Sequence, residues 1–324
     1  MKKRCLPAVF LIFIVFSVSA HATQEVEETL KAIVKIRSTI PNDARTARSL
    51  GTKREGNGVV IDSSGHILTI GYLILEAENI EVILPNSKPI RATFVGYDHD
   101  TGFGLMRADK PLGVTPFKLG QSSKVKEGDA ILVAGHGGAK SVQGVRVVSR
   151  REFAGYWEYL LENAIFTSPP HADFAGAAMI GPDGRLLGIG SLFSQVVMPG
   201  VGVIPGNMFI PIDLLRPILG DLMATGRSHR PPRPWLGLHA EEVRGRVFVK
   251  RVTSGGPASQ AGLKSGDIIL AVAQKEVGGL ADFYRKVWAI GRAGVDVPLS
   301  ILQGNRMKNV IIRSADRFQF LRFK

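Results

Sequence analysis

Ser168, His171 and Asp173 crowd into one short stretch of this chain, and His136 stands upstream in AGHGGA. A hydroxyl, an imidazole and a carboxylate are the parts of nucleophilic acyl transfer. The imidazole takes the hydroxyl's proton, and the carboxylate holds the imidazole in the right tautomer. Closeness in sequence is not enough, because nucleophile, base and oxyanion donors must converge in space. Isolated loop residues seldom meet that condition, so His136 and His171 are expected to be exposed loop histidines. The surrounding stretch, HADFAGAAMIGPDGRLLGIG (171–190), is a Gly-rich bend, a strand, a Pro-Asp-Gly turn and a second strand. Small residues at such a bend let a backbone approach a ligand closely. A reactive side chain would stand at its apex, and the apex is Ala175. No HxxH or clustered-carboxylate spacing suggests a metal site, so no cofactor is implied.

The elements that must position these residues are mostly short strands. AIVKIRSTI alternates apolar and polar residues. GNGVVIDSSGHILTIGYLIL is two apolar runs around Ser63-Ser64-Gly65, a hairpin signal. NIEVILPNSKPIRATFVGYD forms another pair around Pro85-Asn86, and GDAILVAGHGG, GVRVVSRREF and NMFIPI follow. Strands at this spacing imply an all-β barrel or sandwich. Near Ile212 the period changes, and Leu215, Ile218, Leu219, Leu222 and Met223 fall on one helical face. GRSHRPPRP then reads as a Pro-rich linker with semi-rigid polyproline geometry. A second, α+β module starts at Trp235: strands WLGL and RVFVKRVT, a bend and strand in GGPASQAGLKSGDIILAV, a helix in LADFYRKVWAIG, and a hairpin around Gly304-Asn305.

The 324 residues suffice for two domains with real cores. The start, MKKRCLPAVFLIFIVFSVSAHA, has three cations before a short apolar run and offers Ala20-His21-Ala22 for cleavage. It reads as a secretory signal peptide over 1–22, cut after Ala22, which makes the product a periplasmic or cell-envelope protein. The single cysteine, Cys5, lies inside that segment, so export brings no disulfide framework. Removing three cations and no acid from the formal charge of +13 leaves +10. That charge allows weak contact with an anionic membrane surface. No basic stripe interleaved with aromatics points to nucleic acid.

The layout resembles the HtrA family of exported trypsin-like serine proteases, whose members carry two six-stranded β-barrels followed by a PDZ domain. GNGVVIDSSGHILT is similar to the family's hairpin before the catalytic histidine, VGYDHDTGFGLMRAD to the stretch around the aspartate, and AGAAMIGPDGRLLGIG to the nucleophile segment. SVQGVRVVS matches the strand between them, and WLGL followed by GGPASQAGLKSGDIILAV carries a PDZ signature. The resemblance implies a double β-barrel (trypsin-like) domain over 23–228, a linker over 229–234 and a PDZ domain over 235–324.

The chemistry departs from the family. Its histidine position holds Tyr72, its aspartate position Gly102 and its serine position Ala175. Asp173 replaces the glycine of the oxyanion hole, where a carboxylate would repel developing negative charge. A phenol, with a pKa of about 10, is a poor base near neutrality. Losing a triad as a unit removes on the order of 10⁶ in turnover. The PDZ parts remain: Trp235, Leu236, Gly237 and Leu238 match the loop that wraps a peptide's C-terminal carboxylate, and Phe283 and Val287 stand on the helix that would wall the groove. The implied function is a non-cleaving, PDZ-based binder of peptide C-termini or unfolded polypeptides, an envelope chaperone or adaptor, trimeric by resemblance. The alternatives are an active endopeptidase with an unusual site and a regulatory subunit of an active HtrA oligomer.

Overall fold

A computed structural model describes residues 27–85, 87–198 and 200–323. The leader assigned to 1–22 lies outside the described residues. Two closed six-stranded barrels come first. One runs β1 (Ile33–Thr39), β2 (Lys53–Val60), β3 (His66–Ile70), then β6 (Phe103–Ala108), β5 (Ile90–Tyr97) and β4 (Asn79–Ile83), closing on β1. The other contains β7 (Ala130–Ala134), β8 (Val142–Gly155), β9 (Tyr159–Ser168), β10 (Ala178–Ile180), β11 (Leu186–Met198) and β12 (Gly202–Pro211) in the order β10-β11-β12-β9-β8-β7. Alternation builds them: along β1, Val34, Ile36 and Ser38 are buried while Arg37 and Thr39 are exposed. Ile67, Leu68, Phe103, Leu105 and Met106 fill the first barrel with no exposed surface. Closure leaves no free sheet edge, which suits chains rich in β-branched residues.

The third unit is a sheet ordered β13 (Leu238–Val243), β14 (Arg246–Val252), β15 (Ile268–Val272), β17 (Asp296–Gln303), β18 (Arg306–Arg313), with β16 (Lys275–Glu276) paired to β15. The helix Leu280–Trp288 buries Leu280, Phe283, Tyr284 and Val287 against it.

Three local expectations need correction. The helix expected from Ile212 is a 3-10 turn over Ile212–Leu214 and an α-helix only over Leu219–Thr225. Pro217 lacks an amide proton and disfavours helical geometry at Arg216, so the helix starts after it. The apolar run IGYLIL leaves the sheet at Ile70 for a 3-10 turn, Gly71–Leu73. Arg54, 5 % exposed, dictates this: its guanidinium donates to the carbonyls of Tyr72 (2.8 Å) and Leu75 (3.0 Å). WLGL is not a strand throughout; β13 begins only at Leu238, and Trp235 makes an isolated bridge to Ala315.

The Pro-rich segment 229–234 is packed between the barrels and the third unit. The Pro232 carbonyl accepts the Ala293 amide at 2.8 Å, while Arg233 pairs with Asp100 at 3.2 Å and lies over the Trp288 ring. Residues after β18 turn back to the first barrel. Arg322 donates its amide to Glu76 at 2.8 Å, and Phe323 stacks on Phe94.

Candidate functional site

Tyr72, Gly102 and Ala175, the positions that the resemblance matches to a triad, border the seam between the two barrels. The Gly71 amide donates to the Gly102 carbonyl at 2.8 Å, which makes the turn carrying Tyr72 a neighbour of Gly102. A methyl placed on Gly56 would lie 2.5 Å from Leu73 and 2.8 Å from the Ala175 carbonyl oxygen, which places that turn beside the nucleophile bend. Tyr72 brings a phenol to this place, and Gly102 and Ala175 bring no polar side-chain atom. Tyr72 donates its hydroxyl to the Ser191 carbonyl at 2.7 Å, crossing the seam, and burial pushes the phenol well above its ordinary value. It therefore acts as a strut, not a base. Gly102 has φ +85° and faces Ile70, Ile210 and the Tyr159 hydroxyl. One carboxylate of that loop, Asp98, is committed to Thr101, whose amide and hydroxyl it accepts at 2.8 and 2.7 Å.

Asn57 organises the nucleophile bend, and the sequence reading missed it. Its amide nitrogen donates to the carbonyls of Asp173 (2.7 Å) and Ala175 (3.1 Å), and its oxygen accepts the His136 amide at 2.7 Å. Its backbone amide donates to the Ala175 carbonyl as well, at 2.8 Å. Carbonyls at 173 and 175 are thus turned toward Asn57. Asp173 itself is exposed. Water screens its carboxylate, so the repulsion argued from its charge is weaker than the sequence suggested.

The alternative constellation does not assemble. Ser168 donates its hydroxyl to the Pro205 carbonyl at 2.9 Å. His171 is buried rather than exposed, its Nε2 on the Ser141 carbonyl at 3.0 Å and its amide on Asn207 at 2.6 Å. Burial and the charge of Lys35 lower the His136 pKa. Among the described residues, no group of three His, Cys, Asp or Glu side chains could hold a metal ion.

The second site lies where the third unit meets the hairpin joining β8 to β9. The amides of Leu236, Gly237 and Leu238 converge as a nest, while the Trp235 amide points elsewhere and donates to Ala315 at 3.0 Å. Nor is the groove open. The Glu158 carboxylate accepts all three nest amides at 2.7–2.8 Å. Phe283 and Val287, 0 % and 1 % exposed, share an apolar cluster with Leu160, and Ala154 packs against it. Glu158 and Trp235 also border a cavity of about 80 Å³ whose lining includes His99, Asp100, Arg233 and Arg317.

That lining is an electrostatic knot. Burial pushes the Glu158 carboxyl up to about 7 against the pull of its amide donors and Arg317, and lifts Asp100 to about 6 despite Arg233. His99 is held well below its ordinary value by burial and by Arg317, which donates to its Nε2 at 2.6 Å. A guanidinium only donates, so Nε2 accepts from it, the Glu158 carbonyl 3.2 Å from Nε2 receives no proton there, and Nδ1 carries the proton toward the Tyr97 hydroxyl at 3.0 Å. Folded His99 stays neutral where the unfolded chain takes a proton, so its contribution is present above about pH 6.5 and lost as pH falls. Glu158 has the opposite sign: its raised pKa contributes at low pH and is lost as pH rises through the interval from its ordinary value to about 7. The wild-type curve alone is therefore flattened. Urea titrations of wild type and His99→Gln separate the two: the wild-type advantage shrinks by up to about 1.4 kcal/mol per pH unit below 6.5. A difference independent of pH would contradict the neutral assignment.

Residues 56–189 match the trypsin-like peptidase domain, and residues 234–313 match the PDZ domain. Among curated proteins, the chain is 26 % identical over 266 residues to the periplasmic pH-dependent serine endoprotease DegQ of Escherichia coli, covering 78 % of this chain and 57 % of the relative. It is 24 % identical over 282 residues to the serine protease Do-like HtrA of Bacillus subtilis, covering 78 % and 61 %. The chain thus spans a little over half the length of these relatives. Among solved structures, the HtrA-type protease AlgW with tripeptide superposes with a TM-score of 0.52 at 20 % identity, over 91 % of this chain and 96 % of that one. The serine endoprotease from Yersinia pestis gives 0.52 at 24 %, over 90 % and 97 %. At those identities the likeness speaks for the fold.

Proposed function

We propose that this chain, whose trypsin-like peptidase and PDZ modules are similar to those of HtrA proteases, carries Tyr72, Gly102 and Ala175 at the triad positions and is a binding protein built on a protease scaffold that does not cleave. The observation that carries this reading is the Tyr72 hydroxyl, donated to the Ser191 carbonyl across the seam where a free base would stand. Acyl transfer needs a nucleophile and a proton acceptor in reach of each other. Tyr72, Gly102 and Ala175 supply neither. Binding passes to the PDZ module, whose nest at Leu236–Leu238 has the geometry to hold a carboxylate. The ligand class is a polypeptide C-terminus or an unfolded segment that adds as a strand beside Leu238. Export to the cell envelope, self-assembly and contact with anionic headgroups through the basic surface belong to the same reading.

A fluorophosphonate probe tests it. The purified full chain is expected to take no label, and Ser168, its hydroxyl bound to Pro205, is the control serine. Stoichiometric labelling that vanishes with Ser168→Ala would establish a rebuilt active site instead.

A further inference from the structure

The PDZ groove is filled by this chain's own backbone in the manner of a bound peptide. Glu158 sits in the carboxylate nest, and two residues earlier the Tyr156 carbonyl accepts the Ala240 amide at 2.8 Å. Ala240 lies two residues beyond Leu238, so stepping backward along the hairpin steps forward along β13. That antiparallel, two-residue register is how an extended ligand adds to a sheet edge, with main-chain bonds at alternate positions. The Tyr284 hydroxyl fastens the other side: it donates to the Gly155 carbonyl at 2.8 Å and accepts the Glu158 amide at 3.2 Å. Leu160 sits 6 % exposed in the cluster that contains Leu236, Leu238, Phe283 and Val287.

The hairpin is built for this contact at a local cost. Tyr156-Trp157-Glu158 is the three-residue connection between β8 and β9, and Glu158 has φ +59°. The last position of such a loop is the left-handed one, normally given to glycine. An L-residue there is disfavoured, and strain of that kind persists only when the surroundings hold it.

We propose that the hairpin tip Tyr156–Glu158 is a built-in ligand of the PDZ groove, whose side-chain carboxylate fills the site for a polypeptide C-terminus and keeps it closed until a competing chain end displaces it. The competitor's identity as a chain end rests on the function proposed above; the closure does not. A tethered ligand acts at an effective concentration on the order of mM. An outside peptide is weakened in proportion to the fraction of molecules whose groove is open. A groove open one-tenth of the time or less weakens binding about tenfold or more.

The test uses the full chain as wild type, Glu158→Gly and Glu158→Gln. Glycine suits the left-handed turn position, so Glu158→Gly removes the carboxylate while favouring the hairpin; Glu158→Gln keeps the shape and removes the charge. Two readouts run in parallel: amide hydrogen exchange at Leu236–Leu238, and anisotropy of fluorescein-labelled decapeptides ending in leucine, as free acid and as amide. In Glu158→Gly, exchange at those amides is expected to quicken about tenfold or more. The free-acid peptides bind it about tenfold or more tighter than wild type, restore protection, and lose binding on amidation. Glu158→Gln falls between the two. Exchange equally slow in wild type and Glu158→Gly, or measurable peptide binding of equal affinity in both, overturns the closure. Faster exchange in Glu158→Gly with no peptide bound supports the closure and removes the peptide-binding reading.

Discussion

Gly102→Asp, the substitution that would put a carboxylate at the position proposed to match the family's aspartate, destabilises the full chain by about 4–7 kcal/mol. Two effects add. The position has φ +85°, and an L-residue there costs about 1–2 kcal/mol. A new Cβ would sit 3.4–3.5 Å from Ile210, Ile70 and the Tyr159 hydroxyl, and that hydroxyl already donates to the Thr101 carbonyl. A carboxylate among these groups meets no cation, and an uncompensated buried charge costs about 3–5 kcal/mol. The midpoint of urea unfolding reads the loss directly. The combination Tyr72→His, Gly102→Asp and Ala175→Ser accordingly stays inactive on casein, because the frame around position 102 no longer accepts its aspartate. A triple variant that melts with wild type and digests casein would show that the scaffold had merely lost three side chains.

Gly176→Ala lowers stability by about 2–6 kcal/mol, for a reason separate from catalysis. A methyl at that position would lie 1.9 Å from the Asn57 carbonyl oxygen and 2.8 Å from the Thr69 hydroxyl, and the backbone has φ +75°. Neither neighbour is free to move: Thr69 donates to that same carbonyl at 2.7 Å, while the Asn57 side chain holds the carbonyls of 173 and 175. Overpacking of about 1–3 kcal/mol adds to backbone strain of about 1–3 kcal/mol. Gly184→Ala is the control. Its φ is +72°, but nothing lies within 4 Å of the added methyl, so only the strain is incurred. Unfolding free energies should separate the two variants by about 2 kcal/mol. If Gly176→Ala is no worse than Gly184→Ala, the bend is not clamped as described.

Much of the scaffold was legible because it rests on alternation and turn chemistry. The run from Ala32 to Ile40 contains β1, and Ser63-Ser64-Gly65 marks the turn between β2 and β3. The positions of Tyr72, Gly102 and Ala175 beside one seam also follow from motif order. What stayed hidden depends on long-range polar contacts. Arg54 and Asn57 look like ordinary strand residues, yet both are buried and bind loops from elsewhere in the chain. The strand β9 was passed over because two exposed residues, Glu162 and Asn163, interrupt its buried runs. Glu158 was the least legible. A glutamate in a left-handed turn position carries no sequence signature, and its partners lie 78–80 residues away. The return of Arg317 and Phe323 to the first barrel is likewise a tertiary choice that a short helix and a tail do not announce.

The most direct measurement is the intact mass of a denatured polypeptide, such as reduced casein, after long incubation with the purified full chain. The chain should come from cells lacking related proteases. The account predicts a single unchanged mass, identical to that in buffer and unaffected by Ala175→Gly. New fragment masses that grow in proportion to the amount of this chain would contradict it.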